Sequence, residues 1–363
     1  MLMISLPILI RLYKSLMKVL VRFMLLSLVA LLMLPAIAQA QTELLTAKSA
    51  KFTGERPNAD GPPTDVHLGL FLIDVDLVED AAQRFNADLF LNVTWQDPRL
   101  ALPKRQRKGL IRTVPLSDIW WPRGFILNER GVARKLQPTA EVDDDGNVRH
   151  QQRVIGPLAV DLDFKDFPFD EQVLPIVLVT YANSIKDVRF LYGPETSGGS
   201  EKFSIEGWQL SLLEPVIAEF DMPGHAHARP SITFRVAAER VTRYYLLTLV
   251  FPMAMIILMA WSVFWLQPDI IPPRISVATA SIFSFMAFGF SVRAKLPEVS
   301  YLTRADLFVT GCTFLVFLAL AVTVAGSRLA NSDRMDKALR INAISRWLYI
   351  LLFVVVVYLS FLY

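Results

Sequence analysis

Four stretches of this chain carry no charged residue: Tyr244 to Pro268, Ile275 to Val292, Leu307 to Ser327 and Trp347 to Tyr363. Each is close to the roughly 20 residues that a helix needs to cross the hydrocarbon core of a bilayer. Lipid offers no partner to a backbone N–H or C=O, so such runs must fold as helices or close into a barrel. A four-helix membrane bundle is therefore expected, with spans at about 244–266, 274–293, 305–327 and 346–363. The composition agrees, since 53% of the 363 residues are hydrophobic and only 20% charged, which excludes an ordinary soluble domain. A net charge of +3 supplies no basic surface for nucleic acid, and none is expected as a partner.

The part before the spans has a different character. Lys18 and Arg22 precede the apolar run Phe23 to Leu34, and Ala38-Gln39-Ala40 comes after it. A basic segment, a short apolar segment and small residues spaced by one read as a cleaved signal peptide over residues 1–40. The alternative is an uncleaved anchor helix, and either one exports the domain behind it. Residues 41–242 then carry short alternating segments bounded by Gly, Pro, Asn and Asp. Examples are Val66 to Val75, Ala87 to Trp95, Gln172 to Tyr181 and Ser231 to Val236. Alternation with a period of two is the mark of half-buried strands, and their regular spacing predicts a two-sheet, Ig-like β-sandwich. The lone cysteine, Cys312, lies in the third apolar run, so this outer domain must be held by its own core. The run Asp143-Asp144-Asp145-Gly146-Asn147 lacks the distal Glu of a calcium loop and reads as a hairpin turn.

Topology follows from export. Four spans from 243 to 363 return the C-terminus to the outer side, leaving the loop from Arg328 to Arg346 cytoplasmic. Its Arg328, Arg334, Lys337, Arg340 and Arg346 fit the positive-inside rule. Arg293, Lys295 and Arg304 break that rule on the outer side, which suggests a function for them there. No metal-spaced His/Cys cluster, nucleophile motif or phosphate loop occurs, so neither enzyme nor cofactor is expected.

The second span differs from the other three. Ser276, Thr279, Ser281, Ser284 and Ser291 interleave there with Ala278, Ala280, Ala287 and Gly289. Small and hydroxyl residues in a span serve either close helix packing or a surface that faces water in a pore. Ser276, Ala280, Phe283, Ala287 and Phe290 fall on one helical stripe. A ring of Phe from several subunits would close a pore by dewetting, whereas the same residues on a packing face would only contact neighbours. One helix cannot enclose a pore, so the pore reading requires an oligomer.

Motifs along the chain resemble those of the pentameric ligand-gated ion channels, the family of glycine, GABA and nicotinic receptors and their bacterial relatives. Asp163-Phe164-Lys165-Asp166-Phe167-Pro168-Phe169-Asp170-Glu171-Gln172 resembles the family's signature loop, with its Phe-Pro-x-Asp-x-Gln core. The two cysteines that give that loop its name would fall at Val160 and Leu174, and their absence is similar to bacterial members. Trp95 to Leu100 resembles the Trp-x-Asp-x-Arg-Leu strand end, and Trp120-Trp121-Pro122 the Trp-x-Pro-Asp region, with Arg123 in place of its Asp. Asn128-Glu129 comes next in the chain. Arg240, Pro252 and the segment Leu296 to Tyr301 match in the same order, while a long insert before the fourth span is missing.

The resemblance implies a homopentamer of identical subunits around a central pore lined by the second span. It would sit in a bacterial inner membrane with the outer domain periplasmic. A small-molecule agonist bound between outer domains, an amine or a proton, would open the pore to monovalent ions. Coupling would fall to Glu79 or Asp80, Asp170, Arg240 and Pro297, although an arginine between carboxylates also reads as a static salt bridge. An aromatic box would involve Phe90, Tyr181 and His227, with Leu127 where an aromatic is usual. Such a box suits amines, but core packing explains Phe90 and Tyr181 equally well. His225 and His227 are candidates for sensing protons. Selectivity would rest on Pro273, Arg274 and Arg293, because rings of basic residues concentrate anions. The alternatives are a cation-selective, including proton-gated, member and a non-conducting anchored receptor.

Overall fold

The computed structural model describes residues 17, 54–293, 299–332 and 334–362. The signal-peptide assignment, and with it Lys295, Pro297 and Glu298, lies outside the described residues. Strands β1 (Thr64–Glu79) and β2 (Arg84–Gln96) form a long antiparallel pair. The alternation along β2 buries Phe85, Ala87, Leu89, Leu91, Val93 and Trp95, as a period of two requires. After β3 (Arg112–Pro115), β4 (Gly124–Ile126), β5 (Ala133–Arg134) and β6 (Thr139–Val142) comes β7 (Asn147–Ala159). The acidic run 143–147 is the β6–β7 hairpin turn, with Gly146 at φ +83°, where a side chain would be strained. The sandwich ends with β8 (Glu171–Thr180), β9 (Val188–Tyr192), β10 (Gly198–Gly199), β11 (Trp208–Phe220) and β12 (Arg229–Arg240).

These strands make two sheets. The larger runs β10-β1-β2-β7-β6-β3, with β5 on β7 and β9 on β1, and the smaller runs β11-β12-β8-β4. One apolar core joins them, and it contains Val160, Leu174, Phe164 and Phe167. The signature-like loop is therefore anchored by buried side chains at the two positions where a bridge would sit. Asn128 ties the sheets together by polar contacts. Its Nδ2 donates to Ala159 O and Pro175 O, both at 2.8 Å, and its Oδ1 accepts from Val177 N at 3.2 Å.

Among the described residues four helices follow, each long and apolar enough to cross a membrane: α1 (Thr242–Trp265), α2 (Ile271–Arg293), α3 (Arg304–Ala330) and α4 (Met335–Phe361). In α1 a π-helical turn, Leu246–Val250, precedes Pro252, whose ring nitrogen has no proton for the regular ladder. In α3, Gly311 lets α4 come close, since a Cβ there would lie 2.6 Å from Val356 Cγ1. One expectation is corrected. The segment from Arg328 to Arg346 is no loop: α3 runs on to Ala330, and α4 begins at Met335. Its basic residues interrupt hydropathy without breaking a helix, because Lys and Arg are good helix formers.

Truncating Phe164, which has no exposed surface, to alanine should cost about 3–5 kcal/mol. A depressed unfolding midpoint of the outer domain in denaturant would report this, and an unchanged midpoint would refute the anchoring role.

Candidate functional site

At the junction of sandwich and helices, the last residue of β12 is a buried arginine. Arg240 Nε and Nη2 donate to Asp170 Oδ1 and Oδ2 at 2.7 and 3.1 Å. Its Nη2 also reaches Asp80 Oδ2 at 3.4 Å, and its Nη1 donates to the Tyr245 hydroxyl at 3.1 Å. The guanidinium lies 4.1 Å over the Trp208 ring and 4.9 Å over Phe167, a cation–π arrangement strengthened by exclusion of water. Asp80 is thus the carboxylate of the β1–β2 turn that shares this arginine with Asp170. Glu79, the other candidate, is committed to Arg84 through bonds of 2.9 and 2.8 Å. Burial, helped by the nearby charge of Asp170 and opposed by Arg240, pushes the Asp80 carboxyl above the ordinary aspartate range.

Next to this arginine the loop docks on the helices. The first N–H groups of an α-helix have no partner within it. In α3 the N–H of Arg304 donates to Lys165 O at 3.0 Å and that of Ala305 to Phe167 O at 3.1 Å. Thr303 and Asp306 complete the turn as a capping box. Arg304 Nε pairs with Asp166 at 2.6 Å, and Tyr301 OH accepts from Phe164 N at 2.9 Å. Phe169 meets Phe361 at the end of α4 at 5.6 Å. One short loop therefore touches the starts of α1 and α3 and the end of α4. Of this set, the sequence names Asp80, Asp170 and Arg240 as coupling candidates, and it places Asp166 and Tyr301 within motifs without assigning them a contact; Tyr245 and Trp208 carry no mark in a single sequence, because strand register and helix docking bring them to the arginine.

The second span has two distinct faces. Arg274, Ala278, Ser281, Phe285 and Val292 are buried within the subunit. Ser276, Ala280, Phe283, Ala287 and Phe290 lie on the opposite, exposed face, with Phe283 and Phe290 each 72% exposed. Pro273 and Arg293 are exposed at the two ends. Arg274 is the correction here. Expected in an exposed basic ring, it is 1% exposed and donates from Nη2 to Asn342 Oδ1 of α4 at 2.8 Å. Asn342 Nδ2 in turn donates to Phe264 O at 2.7 Å. Helix phase explains the difference: Arg274 lies two residues before Ser276, on the face that packs against α1 and α3.

The aromatic candidates do not meet within one subunit. Phe90 lies on β2 of the larger sheet, on the face opposite the core, with the Arg153 guanidinium 6.0 Å from its ring. Arg153 itself clamps Asp88 at 3.0 and 2.6 Å. Tyr181 comes just after β8 of the smaller sheet, half exposed, and its ring is 6.1 Å from Phe125. His227 is exposed before β12, 3.4 Å from Lys186 Nζ. Leu127 is exposed near the end of β4. The histidine with the most distinctive surroundings is one that sequence reading passed over. His150 is 8% exposed, with Nδ1 2.8 Å from Thr139 O, and it lines a 370 Å³ cavity with Trp121, Phe125, Arg134 and Gln152. Among the described residues no group of three His, Cys, Asp or Glu is placed to hold a metal ion.

Two family models match the chain. One, described as the neurotransmitter-gated ion-channel ligand binding domain, covers residues 43–241. The other, described as the neurotransmitter-gated ion-channel transmembrane region, covers residues 249–340.

Replacing Arg240 with glutamine strands the Asp170 carboxylate in the junction and should cost about 3–5 kcal/mol. A double-mutant cycle with Asp170→Asn in thermal unfolding should recover part of that loss, whereas additive effects would argue against direct pairing. Burial holds the His150 imidazole below its ordinary value of 6.5. The unfolded chain then takes up a proton that the folded one refuses, so stability present above about 6.5 is lost as pH falls toward the folded pKa. His150→Gln should flatten that acid slope in melts of the full chain; an unaltered slope would assign it to other groups.

Proposed function

The chain belongs to the neurotransmitter-gated ion-channel family, and from this premise we propose that it is one subunit of a homopentameric ligand-gated channel whose pore is lined by α2. The observation that carries this reading is the exposed stripe Ser276, Ala280, Phe283, Ala287 and Phe290. A helix in lipid gains nothing by keeping serine and alanine on its open face, while a helix facing water or its own copies does. Phe283 and Phe290 then form hydrophobic rings that close the pore by dewetting. The stripe also disfavours a non-conducting receptor, for which a uniformly apolar second span would suffice.

Agonist binding between neighbouring outer domains biases a closed–open equilibrium, and it does so only as far as the ligand prefers one state. Supporting the interface placement is the separation of Phe90 from Tyr181 and His227, which lie on different sheets of one subunit. Two adjacent copies would bring the two sets together. The shift then passes through Asp80, Asp170 and Arg240 to the start of α1, and through the loop at Lys165 to Phe167 into the start of α3. The outer domain and the C-terminus are on the periplasmic side of a bacterial inner membrane.

The permeant ion in this reading is an anion. Pro273 occupies the position where an acidic residue would favour cations, and Arg293 puts an exposed positive charge at the opposite mouth. Arg274, buried, acts on the mouth only through its field.

Purified protein in planar bilayers under a chloride gradient, challenged with an amine panel and a pH series, should give currents that reverse near the chloride potential. Pro273→Glu should move the reversal toward the cation potential, and Phe283→Ala should raise open probability. Reversal at the sodium potential in the unmodified channel would overturn the anion assignment, and wild-type gating in Phe283→Ala would overturn the constriction.

A further inference from the structure

The sandwich of a single subunit holds a cavity that the channel reading does not use. Its volume is 370 Å³, within the roughly 300–1,000 Å³ typical of small-molecule pockets. Its inner wall is core: Leu91, Val93 and Val154 of the larger sheet and Leu178 of the smaller are all buried. Trp121 and Phe125 add aromatic surface, and the exposed Ser117, Arg134 and Pro138 mark where the cavity opens.

Two polar side chains reach this apolar space, and each has one atom to spare. His150 Nδ1 lies 2.8 Å from Thr139 O. A carbonyl oxygen only accepts, so Nδ1 carries the proton and donates. Burial disfavours the charged imidazole, and no charged group acts on the ring to restore it. Nε2 of the neutral ring is then an acceptor, and it has no partner among the described residues. Gln152 Nε2 donates to Arg153 O at 3.2 Å and to Leu136 O at 3.4 Å. Those two bonds fix the orientation of the amide and leave Oε1 as a second free acceptor. Both acceptors keep accessible surface, although their residues are only 8% and 9% exposed. The other polar groups are already answered. Ser117 Oγ donates to Asp118 Oδ1 at 2.9 Å, and Arg134 Nη2 to Glu129 Oε2 at 2.8 Å. No described Asp or Glu lines the cavity.

These walls select an occupant by what they lack. A cation would enter without a carboxylate to pair with, at a large desolvation cost. A carboxylate would face two acceptors and an arginine that is already paired. A purely apolar ring would leave both acceptors unsatisfied, and water gains nothing from the aromatic and aliphatic surface. A flat neutral ring carrying a hydroxyl meets each demand. We propose that this cavity binds a small neutral phenol in each subunit, its hydroxyl donating to His150 Nε2 and its ring packed against Trp121 and Phe125. The Trp121 and His150 rings already adjoin at 6.3 Å, so the acceptor and the aromatic wall are one place. Neither pore nor neighbouring subunit is needed for this binding.

The test uses the full-length protein in detergent and records no current, so its failure leaves the channel reading intact. Crystals soaked in para-bromophenol should show an anomalous bromine peak between Trp121 and His150. Para-bromoanisole, whose methyl ether has no donor, should show none there at the same concentration. In calorimetric titrations para-cresol should bind saturably and about tenfold tighter than para-methylanisole, the difference that one hydrogen bond in a buried site provides. His150→Phe should erase that preference; partition into detergent is common to both chains and cancels in the comparison. Should this variant fail to fold, the bromine maps of the unmodified protein decide alone. Bromine found only among the helices, equal occupancy by para-bromoanisole, an unchanged preference in His150→Phe, or tighter binding of para-bromobenzoate at the same place would each overturn the proposal.

Discussion

The architecture depends on how a β-sandwich can be joined to a membrane bundle without leaving polar backbone unsatisfied at the seam. The solution is the loop from Asp163 to Gln172. Its Phe164 and Phe167 are rooted in the sandwich core, and its carbonyls at Lys165 and Phe167 accept the first N–H groups of α3. These are the donors that a helix cannot satisfy by itself. Arg240, fixed by Asp170 and covered by Trp208, Phe167 and Tyr245, seals the same seam from the side of α1. With no covalent bridge across the loop, apolar burial at Val160 and Leu174 carries the anchoring.

In the proposed channel this seam is where a change in the outer domain would reach the helices. Backbone contacts between loop and helix start move together or break together. Asp80 and Asp170 compete for one guanidinium at 3.4 and 2.7 Å, so a displacement of the β1–β2 turn changes how Arg240 divides its bonds.

The bundle is complete on one side and unfinished on the other. Within the subunit α2 is held by Ala278, Ser281 and Phe285, and by Arg274 through Asn342. Its remaining face, including both phenylalanines, is covered by nothing among the described residues. In the proposed channel this face of small residues and large aromatics borders the pore and the neighbouring copies.

Much of this was legible in the residues themselves. Runs free of charge fixed the number of spans, since lipid leaves the backbone no alternative to a helix, and the period of two placed the major strands. The loop containing Asp170, and Arg240 before the first span, were visible as motifs. What only tertiary structure decided were matters of phase and register. Helix phase sent Arg274 into the bundle and left Ser276 outside it, though they are two residues apart. The β11–β12 register put Trp208 opposite Arg240, and the β1–β2 pairing gave Glu79 to Arg84 and left Asp80 to reach Arg240. Such choices depend on which neighbour a side chain meets, and local sequence carries no record of a neighbour distant along the chain.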